Sequence, residues 1–372
     1  MKQRVLITGG AGFIGSHLAD QLLESGYGVR VLDCLIPQVH GDSGQPPAYL
    51  AKDVEFIHGD VRDRDAVRRA LDGISAVVHL AAAVGVGQSM YEIEHYTSVN
   101  NIGTAVLLEA LIDRPVERLV VASSMSVYGE GLYREHGGQL VHAAGRSSAQ
   151  LKAGQWEPLG PDNQPLEPLP TPESKQPDLS SVYALSKYDQ ERLCLMTGRA
   201  YGIPSVALRF FNVFGTRQAL SNPYTGVLAI FASRLLNGRA PLVFEDGEQR
   251  RDFVSVHDIA RACRLALECP GVGGEVFNIG SGRPYTIREI AETLARVLGR
   301  EDLSPEITGK YRVGDIRHCF ADIAKARATL GFEPQVTLER GIEELAEWLA
   351  AQEAEDSVDA AFGELKKRGL AV

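Results

Sequence analysis

The sequence is short of cysteine and has no closely spaced pair of them. Cys34, Cys194, Cys263, Cys269 and Cys319 are scattered, odd in number and free of any C-x-x-C pattern. That argues against a disulfide framework and reads as buried thiols in a reducing compartment. No metal is expected. No apolar run approaches the ~20 residues that a membrane span needs. A strand-like run follows Met1 almost at once, without a secretory leader pattern, so the expected location is cytoplasmic. Positive charge is also scarce: 38 Lys and Arg face 48 Asp and Glu, for a net charge of −10. Neither nucleic acid nor a membrane is an expected partner, and any anionic ligand must be held by local arginines or helix N-termini. Internal repeats are missing as well. What is present, 372 residues with 23% charged and 44% hydrophobic, suits a soluble globular enzyme of one large domain or two lobes.

Short apolar runs alternate with helical patterns in the first half. Strands are predicted over Arg4–Thr8, Val29–Asp33, Val54–His58, Ala76–Ala81, Arg118–Ala122 and Ser205–Arg209. Helices are predicted over Phe13–Glu24, Ala66–Leu71, Ile93–Leu111 and Ser181–Tyr201. This alternation predicts an α/β fold with a Rossmann-like, doubly wound parallel sheet. Residues 130–176 are rich in Gly, Pro and Gln with little periodicity, and read as an insertion or long loop. From about Phe211 the elements shorten and mix, as in a smaller α/β lobe. The expected division is a cofactor-binding domain, 1–211 plus about 252–281, with an insertion at about 130–178. A second lobe covers 212–251 and 282–352, and a charged, helix-prone tail covers 353–372.

The first predicted strand runs into TGGAGFIGSH, residues 8–17. Gly9, Gly12 and Gly15 recur at spacing three, with Phe13 and Ile14 opening a helix. A pyrophosphate needs such a turn, because only glycine lets backbone N–H groups and the following helix come close enough. Asp33 ends the next strand, about 18 residues past Gly15, where a carboxylate binds the adenosine ribose and repels a 2′-phosphate. NAD is therefore favoured over NADP. Further on, YALSK places Tyr183 and Lys187 on one helix face. A free tyrosine, with pKa near 10, is a poor base; a nearby ammonium stabilises its phenolate.

These motifs occur in the order TGGAGFIG, HLAA (79–82), ASSMSVYG (122–129), YALSK and RFFNVFG (209–215). They resemble the extended short-chain dehydrogenase/reductase superfamily, and within it the NAD-dependent nucleotide-sugar epimerases and dehydratases. The likeness covers roughly residues 4–350, continuing through DGEQRRDFVSVHDIA (246–260), FNIGSG (277–282) and RVGDIRHCFADIAKARATLGFEP (312–334). The resemblance implies that Ser124 is the catalytic hydroxyl partnering Tyr183, with Ser126 beside it on the substrate side. It also implies that Lys187 binds the nicotinamide ribose, that Asp60 and Val61 contact adenine, that Leu80, Ala81 and Ala82 line the cofactor, and that Asn100 braces the active-site loop.

Dehydrating and decarboxylating relatives carry an acid at the strand end, where this chain has Met125 and Ser126. Elimination needs a proton donor and a base. Oxidation of one hydroxyl followed by reduction from the other face needs only Tyr183, Ser124, Lys187 and NAD, which points to an epimerase; the resemblance puts the inversion at C4. For the nucleotide-sugar substrate, Arg251 and Arg312 are candidate diphosphate forks, with Arg217 a weaker one. The resemblance adds Asn212 at the diphosphate and Phe244 stacked on the base, while Glu245 departs from the glycine usual there. The insertion resembles that of dTDP-L-rhamnose 4-epimerases but lacks the paired cysteines some of them carry; UDP-glucose 4-epimerases are the other near pattern. It offers Trp156 or Tyr133 to the sugar. Rival readings are a nucleotide-sugar dehydrogenase, ketoreductase or dehydratase, and a non-catalytic NAD sensor. The family's habit implies a homodimer.

Overall fold

The computed structural model describes residues 3–143, 145–219, 226–312, 314–349 and 358–371. Seven parallel strands form the central sheet: β1 (Arg4–Thr8), β2 (Gly28–Asp33), β3 (Glu55–His58), β4 (Ala76–His79), β5 (Arg118–Ser124), β6 (Ser205–Phe210) and β7 (Val276–Ile279). Their spatial order is β7-β6-β5-β4-β1-β2-β3. The order reverses between β1 and β4, and that crevice is where open α/β sheets bind ligands.

Alternation along each strand fills two cores. Val5 and Ile7 face one side of the sheet with Val120, Leu208 and the helix Val256–Glu268. Leu6 faces the other with Leu119, Val121 and the helices Gly103–Asp113 and Val182–Tyr201. A period of two on strands buried on both faces produces the near-continuous apolar runs of the sequence. Asn212–Phe214, Arg250–Ser255, Pro284–Thr286 and His318–Cys319 form a second, small sheet. A third core lies in this part of the chain, where Phe214, Phe231, Ile290, Leu294, Ile342 and Leu345 meet.

Two segments differ from the sequence expectation. The helix expected over Ile93–Leu111 is interrupted: Ile93–Tyr96 and Gly103–Asp113 are joined by a π-helical turn, Thr97–Ile102. A π turn shifts the phase of the apolar face, but only four residues precede it, too few to set that phase in the sequence. The insertion is not a loop. Leu132–Arg134, Leu140–His142 and Glu167–Leu169 form a three-stranded antiparallel sheet, and Ser148–Lys152 a helical turn. Strands of three residues are too short to print an alternation. The helix-prone tail does carry a helix, Val358–Lys367, which packs on the body with Leu365 buried.

Candidate active site

A cavity of about 480 Å³ opens at the C-terminal end of the sheet, at the β1–β4 crevice. The glycine turn forms its floor. Gly9 has φ +69°, and a Cβ there would lie 2.9 Å from Ala81 Cα. A Cβ on Gly15 would lie 2.5 Å from Gly10 Cα, so a side chain would push the helix off the strand. The helix Phe13–Glu24 begins at Gly12 with no side-chain cap. Its first N–H groups therefore keep their hydrogen-bonding capacity for a ligand, and Gly12, Phe13, Ile14 and Gly15 all line the cavity. Asp33 Oδ2 accepts from Ala11 N (3.0 Å) and Oδ1 from Leu35 N (2.9 Å), which aims the carboxylate across the turn. Asp60 lines the cavity as well, but Arg62 grips both its oxygens at 2.9 and 2.6 Å. The hydrogen bond from Arg62 holds its pKa below the ordinary carboxylate range. Val61, Leu80, Ala81 and Ala82 complete this wall. The uncapped helix and the Cβ-intolerant turn are a cradle that fits a dinucleotide.

Ser124, Tyr183 and Lys187 meet in the same cavity. Ser124 is the last residue of β5, beside β6, with Phe210 across from it in the register. Its hydroxyl donates to Ser126 Oγ (3.0 Å) and hydrogen-bonds to Tyr183. Ser181 caps the helix that carries Tyr183 and Lys187, accepting from Ala184 N at 3.1 Å. Burial pushes the Tyr183 phenol up, and the Ser124 hydrogen bond draws it partly back. Within the protein alone the phenol is thus raised, where the sequence suggested a lowered one. The reason is the depth at which the phenol lies; the Lys187 ammonium, one helical turn on, is bonded to Gln190 Oε1 at 2.7 Å. Burial lowers the Lys187 pKa to about 8. Asn100, in the π-helical turn, accepts from Ala83 N (2.7 Å) and donates to Ala83 O (3.1 Å) and Ser186 Oγ (2.9 Å). It lies behind the cavity wall and clamps the segment after β4.

The substrate-side residues are only partly brought together. Asn212 lines the cavity, and its buried Oδ1 has no hydrogen-bond partner among the described residues. Phe244, Arg251 and Arg312 lie outside the lining. Arg251 donates to the carbonyls of Arg250 (3.0 Å), Arg317 (2.9 Å) and Ile316, because its strand pairs with His318–Cys319 and brings those carbonyls within reach. The Arg312 guanidinium carbon sits 4.9 Å from the Phe244 ring centre. Arg217 pairs with Asp20 at 2.7 Å. Tyr133 is not a sugar contact: it is fully buried and donates to Glu130 Oε2 at 2.6 Å. Trp156 packs beside Tyr311.

Glu245 has φ +53°, the left-handed region that favours glycine. Arg146 from the insertion pairs with it at 2.8 Å and Arg317 at 2.9 Å. Those ion pairs hold a conformation that is unfavourable for the residue. Two contacts of the catalytic helix were missed in the sequence. Ser89 Oγ accepts from Tyr183 N at 3.0 Å, and Gln190 holds Lys187. Ser89 leaves no local signal; Gln190, three residues past Lys187 on the same helix face, does. Among the described residues no cluster of His, Cys, Asp and Glu could hold a metal ion, and no helix is long and apolar enough to cross a membrane.

Residues 5–280 match the model of the NAD dependent epimerase/dehydratase family. The chain is 36% identical to a dTDP-L-rhamnose 4-epimerase of Burkholderia thailandensis, over 94% of this chain and 96% of that one. It is also similar to two solved structures. One is a UDP-glucose 4-epimerase of Thermotoga maritima with UDP-glucose, at 34% identity and TM-score 0.77, covering 94% and 99% of the two chains. The other is a UDP-glucose 4-epimerase of Thermus thermophilus in complex with NAD, at 31% identity and TM-score 0.74, covering 94% and 100%.

Proposed function

This chain belongs to the NAD-dependent epimerase/dehydratase family, and from that premise we propose that it inverts C4 of a dTDP-6-deoxyhexose, of the dTDP-L-rhamnose/dTDP-6-deoxy-L-talose type. It is an isomerase, and NAD is its cofactor. The observation that carries the reading is the make-up of the cavity. Ser124, Tyr183 and Lys187 meet in it, and Asp33 and Asp60 are the only carboxylates among its described lining residues. Both belong to the dinucleotide wall: Asp33 is bonded to Ala11 N, and Asp60 to Arg62. Beside Ser124 stand Met125 and Ser126, so elimination lacks its acid and base.

NAD supplies a hydride acceptor and donor when bound. In this reading Gly9, Gly12 and Gly15 hold its pyrophosphate and Asp33 its adenosine ribose. Tyr183 takes the proton from the C4 hydroxyl and later returns it, while Ser124 hydrogen-bonds the same oxygen. Burial raises the phenol, so the Lys187 ammonium and a cationic nicotinamide have to offset that to give a competent base. Asn212, Arg251, Arg312 and Phe244 are assigned to the nucleotide diphosphate; Asn212 lines the cavity, and its Nδ2 is the atom able to donate to a phosphate oxygen. Met125, next to Ser124, and Phe210, across from it, are apolar and line the cavity. They suit the C6 methyl of a deoxy sugar better than a hydroxymethyl. The division into a cofactor unit (1–211 and about 252–281) and a substrate lobe (212–251 and 282–352) is part of this reading. So is a homodimer, supported by the exposed Leu185 and Met196 on the catalytic helix and by exposed Ile102 nearby. The five free thiols are consistent with a reducing compartment.

The test is incubation with dTDP- and UDP-sugars and NAD, followed by NMR of the sugar protons and absorbance of NADH. The expected outcome is a C4 epimer from a dTDP-6-deoxyhexose with no NADH accumulation. Turnover of UDP-glucose alone would move the substrate to the UDP-hexose type. Stoichiometric NADH would make the protein a net dehydrogenase, and a 4-keto-6-deoxy product a dehydratase.

A further inference from the structure

We propose that Gln190 is a positioning residue for Lys187, holding its ammonium in a fixed place without lending it a counter-charge. The inference rests on the reading of Lys187 as the active-site cation. Gln190 is completely buried, one helical turn past Lys187, and its Oε1 accepts from Lys187 Nζ at 2.7 Å. Its other end is fixed. Nε2 donates to Thr104 Oγ1 at 2.8 Å and faces His79 Nε2 at 3.2 Å and Ala81 O at 3.5 Å. Thr104 Oγ1 in turn donates to Asn100 O (2.5 Å), and His79 Nδ1 meets Thr8 Oγ1 at 2.7 Å.

This surround sets the direction of the amide. Turned over, its oxygen would face the Ala81 carbonyl, and its NH₂ would face an ammonium that can only donate. The chain of contacts therefore runs from Lys187 through Gln190 to Thr8, which ends β1, and to Asn100 of the π-helical turn. The cation is registered against the same backbone that carries the glycine turn.

The groups around Lys187 explain why a neutral amide stands here. Glu191 is buried on the next position of the helix, but its oxygens are taken by Arg209 (2.9 and 2.7 Å) and Ser123 (2.7 Å). His79 is driven to a pKa of about 3 by burial, and further by Lys187, so it is neutral. Cys194, on the same helix, is pushed up to about 12 by burial and is a thiol. Tyr183 is the remaining titratable group on this face. A glutamate at 190 would pair with the ammonium and spend its charge locally. Glutamine leaves that charge, and two of the three N–H donors, for the ribose diol and the Tyr183 phenolate.

The experiment compares Gln190→Leu and Gln190→Glu with the full-length enzyme, reading the pH profile of kcat/KM and the Kd of NAD. Gln190→Leu should lower kcat/KM about 10- to 100-fold through misplacement of the cation, weaken NAD binding, and move the alkaline limb to lower pH. Gln190→Glu, nearly isosteric and able to fold if the leucine variant does not, should move that limb to higher pH by a unit or more. Profiles that superimpose on the parent, or a fall in activity with unshifted limbs, would overturn the proposal and leave Gln190 a packing residue. Tyr183→Phe is the control for the underlying site. If it is inactive while the Gln190 variants behave as the parent, only the positioning role fails. If it is fully active, the reading of the site fails as well.

Discussion

Lys187 is the residue on which function and stability pull apart. Burial brings its pKa from the ordinary 10.5 to about 8. Below pH 8 the folded and unfolded chains both carry the charge, and the fold bears the whole desolvation cost, roughly 3 kcal/mol from the size of the shift. Between pH 8 and 10.5 the folded lysine is already neutral while the unfolded one is not, so the cost fades and is gone above 10.5. Lys187→Met removes it, and gives back about 1 kcal/mol for the hydrogen bond to Gln190. The variant, measured without nucleotide, should melt at a higher temperature than the parent at pH 7, with a gain that shrinks towards pH 10.5. Its epimerase activity should fall at least 100-fold. A lower melting temperature at pH 7 would mean that the ammonium is better solvated than its burial implies. Tyr183 and Lys187 were legible in the sequence because four residues along one helix fix their geometry. The direction of the phenol's shift was not, since it depends on how deep the pair lies and on where the ammonium points.

At the scale of elements, two joints are of opposite kinds. The glycine turn is local, and its whole chemistry stands in TGGAGFIG: Gly15 touches Gly10, five residues back. Gly15→Ala should push the helix Phe13–Glu24 away from β1 and weaken NAD binding at least tenfold, read by titration calorimetry. Unchanged affinity would show that the first turn tolerates the 2.5 Å clash by sliding. The joint between residues 146–157 and residues 245–317 is assembled from distant sequence. Arg317, 1% exposed, reaches Glu157 (2.5 Å), Glu245 (2.9 Å) and Asp246 (2.7 Å), and Arg146 joins at Glu245. Arg317→Met leaves three carboxylates short of a counter-charge, which should cost about 3–5 kcal/mol in urea unfolding. A loss under 1 kcal/mol would mean that the carboxylates take up protons or water instead. No composition rule connects Arg146 to Glu245, so the segment read as an insertion or long loop. The glutamate in a glycine position was visible as a departure but had no partner until the fold supplied one. The π-helical turn escaped for a third reason, since only four residues, Ile93–Tyr96, precede it, too few to set a phase against which a shift could be read.

At the scale of the molecule, the tail spans from Gly87 and Tyr91 to Phe244 and Arg312, across the assigned nucleotide-base site. Leu365 is buried against Gly87, and the Arg368 guanidinium lies 4.2 Å from the Tyr91 ring centre. At its other edge Phe362 meets Phe244 with ring centres 5.3 Å apart, Lys310 covers Phe362, and Ala371 pairs with Arg312. Phe244 thus has Arg312 as one close neighbour and Phe362 as another. A pyrimidine stacked on Phe244 needs a ring face, and two ring centres 5.3 Å apart do not admit a third ring between them. If Phe244 is the base platform, nucleotide binding and tail docking compete for it. An aromatic pair of this kind is worth about 0.5–1.5 kcal/mol beyond its buried area. Phe362→Ala should therefore lower KM for the nucleotide sugar roughly two- to tenfold, with kcat within about twofold of the parent, since neither Phe362 nor Phe244 touches the Ser124–Tyr183 end. A raised KM would place Phe362 among the residues that hold the base. An unchanged KM would take Phe244 out of base recognition altogether, and leave Asn212 and the two arginines to select the nucleotide through its phosphates.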